Sequence, residues 1–228
     1  MDITITPASP DNVQQLVKIH TAAFASDRFS QLMLLNRDPH AHEALMLRSI
    51  EEWAANPAAK LYRAVDAQGQ VVGWSCWIIN EAKEITPSAS TETSATDAKE
   101  PVPVETQPPP QDPARALGGL MFKDMVRFED EYLQGRRHVV LQGLATDPRY
   151  QRRGVGSRLV AHGLEELDTL GLDCWIHASP ASYGVYEKAG FREVGKSDFD
   201  LDEYAPHGGG WGRYVFRHMI RYARTKGE

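Results

Sequence analysis

The chain has 228 residues, of which 42% are apolar and 25% charged, and its formal net charge is −6. That length permits one generous domain or two small ones, with enough apolar side chains for a buried core. The acidic balance excludes a general nucleic-acid binder, because neutralising phosphates needs a concentrated lysine and arginine face. Two cysteines, Cys76 and Cys174, lie inside apolar, strand-like runs and read as small buried hydrophobes. Neither has a second cysteine at ligand spacing, so no metal is expected. The N-terminus lacks the basic and apolar regions of a secretory signal, and no apolar run approaches the roughly 20 residues of a membrane helix. The expected setting is cytoplasmic, with no membrane partner.

Ile3 to Thr6 alternates like a short strand closed by Pro7. Asp11 is placed to cap a helix to about Phe24, with Val13, Leu16, Val17 and Ile19 on its buried side. Pro39 opens a second helix carrying Leu45, Leu47, Ile50 and Trp53, and Asn56-Pro57 ends it. Two runs, Leu61 to Val65 and Val71 to Ile79, flank a turn over residues 66–70 and read as a hairpin. Trp74 and Trp77 fall on opposite faces of the second run. From Lys83 to Pro113, Ser, Thr, Pro, Glu and Ala dominate and aromatics vanish. Such a segment cannot bury enough apolar surface to offset its ordering entropy, and it reads as a disordered insertion in a single domain spanning residues 1–228.

A helix follows from about Ala114 to Tyr132, then a strand from His138 to Ala145. Gly154 to Leu170 is strongly helical, with Val155, Leu159, Leu164 and Leu167 on one face and Gly171 beyond its end. Cys174 to Ala178 is a strand, Ala181 to Lys188 a short helix, and Phe191 to Asp200 and Arg213 to Arg221 the last strands. The expected order is β-α-α-β-β-insertion-α-β-α-β-α-β-β, an α/β fold with a mixed central sheet and helices on both faces.

The informative stretch begins at Val139. After a strand and the turn Asp147-Pro148-Arg149-Tyr150, the chain reads Gln151-Arg152-Arg153-Gly154-Val155-Gly156 and enters a helix. Glycines there allow a tight turn and leave the first-turn N–H groups bare, and those donors with the positive end of the helix suit a pyrophosphate. Two arginines add charge-assisted donors. Glycines needed only for close helix–sheet packing are the alternative. No Gly-Lys-Ser/Thr follows, which excludes a P-loop, and the absence of a third glycine excludes a dinucleotide fingerprint.

This motif resembles the Q/R-x-x-G-x-G/A signature of the GNAT acetyltransferases. Downstream, Val185-Tyr186-Glu187-Lys188-Ala189-Gly190-Phe191 is similar to their Y-E-K-x-G-F motif, in the same order and at the usual distance. The resemblance runs from about His138 to Val194, is weaker from Ile3 to Ile79 and omits the insertion, which is of the kind found in fungal relatives. It implies a GNAT fold with acetyl-CoA in a V-shaped opening, where the strand ending near Ala145 and the strand starting at Cys174 splay apart. Leu144, Ala145 and Thr146 would bond the pantetheine through backbone groups, like an added strand. Gln151, Arg152, Arg153, Gly154, Val155, Gly156 and Ser157 would hold the pyrophosphate. Ser179 stands where many relatives carry Asn, which leaves its pantetheine contact open.

By the same resemblance, Tyr186 would protonate the departing CoA thiolate, and a backbone N–H near Ala145 would stabilise the oxyanion. A buried packing tyrosine is the alternative. Relatives often carry Glu or His on the strand before the loop; here Gln142 cannot accept a proton. A water relay, deprotonation in bulk, Asp27 or His177 remain, with His177 also readable as a satisfied structural histidine. His40-Ala41-His42-Glu43 reads as a solvated helix end. Tyr204 and Trp211 border a glycine-rich hairpin, as an acceptor wall or as a loop staple. The expected activity is transfer of an acetyl group to a primary amine of a small molecule in a ternary complex. Rival readings are a protein or peptide N-acetyltransferase and a silent acyl-CoA-binding sensor. The oligomeric state, monomer or homodimer, is left open.

Overall fold

A computed structural model describes residues 2–38, 40–82, 112–206 and 209–223. Most of the expected insertion and Pro39 therefore lie outside the described residues. In chain order the elements are β1 (Ile3–Pro7), α1 (Val13–Phe24), α2 (Arg28–Leu34), α3 (Ala41–Ala55), β2 (Ala59–Asp66), β3 (Val71–Asn80) and α4 (Pro113–Leu133). These are followed by β4 (His138–Thr146), α5 (Val155–Asp168), β5 (Cys174–Ala178), α6 (Tyr183–Lys188), β6 (Arg192–Asp200) and β7 (Arg213–Arg221). The expected order holds with one addition, α2. Its seven residues are too few for a helical period to show, and its start is set by the N-cap Asp27, whose side chain accepts from Ser30 N–H at 2.9 Å.

Two of the boundaries that differ from expectation have a plain local cause. Asp11 does not cap α1: Pro10–Asn12 form a 3-10 turn, and Asn12 occupies the cap position. Residues 112 and 113 belong to α4 rather than to the insertion, since Asp112 accepts from Ala114 N–H at 3.1 Å and Pro113 takes the first turn, where its missing N–H costs nothing.

The strands form one seven-stranded sheet in the order β1-β2-β3-β4-β5-β7-β6. Every neighbouring pair is antiparallel except β4 and β5, which run parallel. On one face α5 and α6 bury Val155, Leu159, Leu164 and Tyr186 against Trp77, Val139, Ile176 and Met219. On the other, α1 and α3 bury Leu16, Val17 and Ile50 against Trp74 and Cys76. Helices α2 and α4 cover β5–β7 on that same side, through Leu32, Leu117 and Tyr214 and through Leu133, Trp175 and Ile220. Both cysteines are buried and free. Trp74 and Trp77 are both fully buried, on opposite faces as their spacing requires. Of the expected α3 core residues only Ile50 is buried, and Leu45 is exposed. Among the described residues no helix is long and apolar enough to cross a membrane.

Contact between α5 and the sheet is close enough to require glycine. A Cβ on Gly163 would lie 2.3 Å from Cε2 and Nε1 of the buried Trp77 indole. Gly163→Ala is therefore expected to destabilise the fold by about 1–3 kcal/mol, the usual cost of overpacking. Urea unfolding measures this, and an unchanged midpoint would show that the indole can yield.

Candidate active site

The site begins with an irregularity in β4. Cys76 pairs with Gly143 and Trp77 with Leu141, so Gln142 is the extra residue of a bulge. A bulge bends its strand and reverses the alternation beyond it. Val139 and Leu141 face α5, Leu144 then packs on that same face, and Ala145 joins the cluster under α1 and α3. Pairing between β4 and β5 is confined to Val139 with Cys174 and Val140 with Trp175. Past Leu141, β4 stays paired with β3 but has no partner strand on its other edge, so the parallel strands splay.

The chain leaving β4 forms the mouth of this opening. Asp147 accepts from Arg149 N–H at 2.9 Å and closes a 3-10 turn over Pro148–Tyr150. Tyr150 O–H donates to Asp66 at 2.8 Å, tying the turn to the β2–β3 hairpin. Arg152 and Gly154 then take φ of +59° and +82°. This brings successive N–H groups toward one side, as in an anion-binding nest. Among the described residues, the amides of Arg152 to Ser157 have no intramolecular acceptor. Gln151 Nε2 donates to Thr146 O at 3.1 Å, and a Cβ on Gly156 would meet Thr146 Oγ1 and Leu144 Cδ2 at 3.7 and 3.8 Å. The loop and the end of β4 thus form one concave surface. Gln151, Arg152 and Arg153 are exposed there, with the Arg153 guanidinium over the Tyr150 ring.

Tyr186 is buried on α6, edge-on to Phe191. Burial raises its phenol pKa above the ordinary tyrosine value. Ser182 Oγ is 3.0 Å from Ser179 Oγ. On β7, the Tyr214 phenol is pushed up first by burial and then by its bond to Asp27. Tyr214 O–H donates to Asp27 Oδ1 at 2.7 Å. The structure thus pairs Ser179 with Ser182 and Asp27 with Tyr214. Ser182 and Tyr214 are additions to the expected residues. Ser182 carries a faint sequence signal, one helical turn before Tyr186; Tyr214, 28 positions after Tyr186, carries none.

His177 resolves as the satisfied histidine. Trp175 Nε1–H, which can only donate, lies 3.1 Å from His177 Nε2, so that nitrogen accepts and Nδ1 carries the proton. His177 Nδ1 then donates to His218 Nδ1 at 2.9 Å, His218 Nε2 to Ser197 Oγ at 2.9 Å, and Ser197 O–H to Asp124 at 2.6 Å. The donor-only indole and the acceptor-only carboxylate set every tautomer between them. Neither ring nitrogen of His177 is left for a substrate. Gln142, exposed at the bulge, has no proton to take up or release either. Tyr204 and Trp211 both pack against the cluster of Phe29 and Tyr214, and Trp211 is also stapled, donating its N–H to Asp202 at 2.8 Å and accepting from Arg28 at 2.9 Å. The expected solvated end at residues 40–43 is half correct. His40 is exposed, but the His42 ring sits 5.2 Å from that of buried His20. Among the described residues, no group of three or more potential metal ligands occurs.

Residues 110–191 match the model of the Acetyltransferase (GNAT) family. Over 58 residues the chain is 39% identical to the ribosomal protein bS18-alanine N-acetyltransferase of Salmonella typhimurium, a match spanning 24% of this chain and 39% of that protein. The solved structure of arylalkylamine N-acetyltransferase 2 from Aedes aegypti is similar at a TM-score of 0.66 and 13% identity, over 98% of this chain and 100% of that one. A GNAT superfamily phosphinothricin acetyltransferase from Sinorhizobium meliloti, in complex with AcCoA, is similar at a TM-score of 0.56 and 15% identity, over 98% and 89%. Identities this low speak for the fold alone. The family model thus covers just over a third of the chain, and the solved structures share its fold.

The histidine chain makes stability depend on pH. Burial lowers His177 to about 3 and His218 to about 4, and it lowers His20 to about 4. Their folded values lie below the unfolded value of about 6.5, so protons bind preferentially to the unfolded chain. Stability is then full above about pH 6.5 and is lost as pH falls toward 4, by up to about 1.4 kcal/mol per pH unit for each such histidine. The melting temperature is expected to drop steeply over that window, and His218→Gln to flatten the slope. Parallel profiles for variant and wild type would refute the assignment.

Proposed function

We propose that the protein transfers an acetyl group from acetyl-CoA to the primary amine of a small molecule in a direct ternary complex. The observation that carries this reading is the splay past Leu141, which opens beside a loop of unpartnered amides. Acetyl-CoA supplies an acyl group already activated as a thioester. On this reading Leu144, Ala145 and Thr146 offer backbone groups on the unpaired edge of β4 to its pantetheine arm. Gln151, Arg152, Arg153, Gly154, Val155, Gly156 and Ser157 cradle its pyrophosphate with N–H groups and two guanidinium charges. Ser179, at the end of β5, borders the pantetheine path.

Tyr186 is the proton donor to the leaving sulfur. Its burial keeps the phenol protonated at neutral pH, as a general acid requires. A backbone N–H near Ala145 stabilises the oxyanion. Asp27, half-buried and ionisable, is the group on the acceptor side able to draw an ammonium and take its proton. The acidic chain favours a cationic acceptor. The partial match to a ribosomal-protein acetyltransferase favours a protein N-terminus as the second reading.

A free-thiol release assay with acetyl-CoA and a panel of small amines and peptides tests the function directly. Release with a small amine supports it, release with peptides alone moves the assignment to the second reading, and tight acetyl-CoA binding without release indicates a sensor. Gly156→Asp has room for its Cβ, so the fold is expected to persist while calorimetric CoA affinity falls at least about tenfold from charge repulsion. Unchanged affinity would sink the cradle. Tyr186→Phe is expected to preserve affinity and lower turnover by about 10²–10⁴-fold. Turnover within about threefold of wild type would remove the acid role.

A further inference from the structure

Gln142, the extra residue of the β4 bulge, is exposed in the middle of a sheet whose two faces both carry helices. β4 is the fourth of seven strands, where a side chain is ordinarily covered. The flanking residues fix the face on which Gln142 lies. Val140, two residues earlier, packs with Leu133 and Trp175 beneath α4. A Cβ on Gly143 would lie 2.7 Å from Trp74 Cζ3 and 3.7 Å from Trp53 Cζ3, beneath α1 and α3. Alternation puts Gln142 on the face of Val140, and the bulge keeps Gly143 on that face too. Leu141 and Leu144 point the other way, into the core that holds Tyr186. Gln142 therefore stands at the seam between α1 and α3 on one side and α2 and α4 on the other. Its exposure means that these helices part above it.

Two properties of this side chain suit it to a ligand. Among the described residues, neither its amide oxygen nor its amide nitrogen has a hydrogen-bond partner. It also lies two residues, about 6 Å of strand, before Leu144, along the stretch where β4 has lost β5 as a partner. On the acetyl-transfer reading, the thioester lies in that gap. The sulfur then leaves on the face of Tyr186, and the opposite face, where Gln142 stands, is the one open to an incoming nitrogen. A glutamine carbonyl accepts hydrogen bonds and does not titrate.

We propose that Gln142 is the specificity residue for the acceptor nitrogen: its side-chain carbonyl accepts the one N–H that the amine keeps, and so selects primary over secondary amines. The inference rests on the acetyl-transfer reading above. A primary ammonium carries three protons on nitrogen. As the N–C bond forms and the C–S bond breaks, nitrogen sheds two of them. One is released to solvent, and one is balanced by the proton that the CoA sulfur gains. The third remains on nitrogen from the bound amine to the amide product. A carbonyl that accepts this hydrogen throughout directs the nitrogen lone pair at the thioester and takes no part in proton transfer. A secondary ammonium has two protons and sheds both. Its amide has none to give, and the Gln142 carbonyl, stripped of water by the substrate, is left without a partner.

The test compares a primary amine that the wild type acetylates with its N-methyl derivative, in wild type, Gln142→Ala and Gln142→Glu. Wild type is expected to favour the primary amine in kcat/KM by at least about tenfold. Gln142→Ala is expected to lose that preference through slower acetylation of the primary amine, while calorimetric acetyl-CoA affinity stays as in wild type. Gln142→Glu keeps an accepting oxygen and is expected to restore the preference at neutral pH. It also adds a titrating carboxylate, so its kcat/KM profile gains an acidic limb that wild type and Gln142→Ala lack. A merely structural role for Gln142 would slow both amines alike. A primary-to-N-methyl ratio unchanged in Gln142→Ala, or near unity in wild type, would overturn the assignment and leave the acetyl-transfer reading standing. A wild type that releases no thiol with any amine or peptide would overturn that reading and the role of Gln142 with it.

Discussion

Strand β4 cannot continue its ladder with β5 because Gln142 is one residue too many. The bulge it forms turns the strand, reverses which side chains face which helices, and leaves pairing with β5 only at Val139 and Val140. Backbone groups at a strand edge must find partners, and a sheet that parts in its middle presents them to whatever enters the gap. The amide-lined loop lies directly beyond the end of β4, and Ser179 directly beyond the end of β5. Almost every feature of the site is therefore positioned by where those two strands stop touching.

The rest of the sheet holds that gap open at fixed width. Trp74 fills the space beside Gly143 on one face, Trp77 presses onto Gly163 of α5 on the other, and neither has room to shift. Across β5–β7, the chain from Trp175 through His177, His218 and Ser197 to Asp124 ties α4 to three strands. Its members are satisfied at every nitrogen and oxygen named, which makes a buried polar network rigid rather than costly. That rigidity comes with neutral histidines, since burial opposes their charged forms.

The polar side chains of this region differ in how far their hydrogen bonds extend. The histidine chain runs between a donor that cannot accept and an acceptor that cannot donate, so its protons are locked. Elsewhere the hydroxyls meet in separate pairs, Tyr214 donating to Asp27 at 2.7 Å and Ser179 lying 3.0 Å from Ser182.

Local pattern was sufficient for much of this. Apolar periodicity placed Val155, Leu159, Leu164 and Leu167 on the buried face of α5, alternation placed Trp74 and Trp77 on opposite faces, and the glycine and arginine spacing marked the loop at Gln151–Ser157. These properties depend on residues within a turn or two of each other, so they are written in the chain. Helix α2 was not legible, because seven residues capped by Asp27 show no period. The pairing of Asp27 with Tyr214 across 187 positions, and of His177 with His218 across 41, depends on strand order and on the twist that brings β7 beside β5. Nor does a serine announce which hydroxyl it will face. The sequence by itself determined the fold family, the strands and the loop that suits a phosphate; the tertiary structure decided which polar groups meet, because only the packed sheet sets distances between residues that the chain keeps far apart.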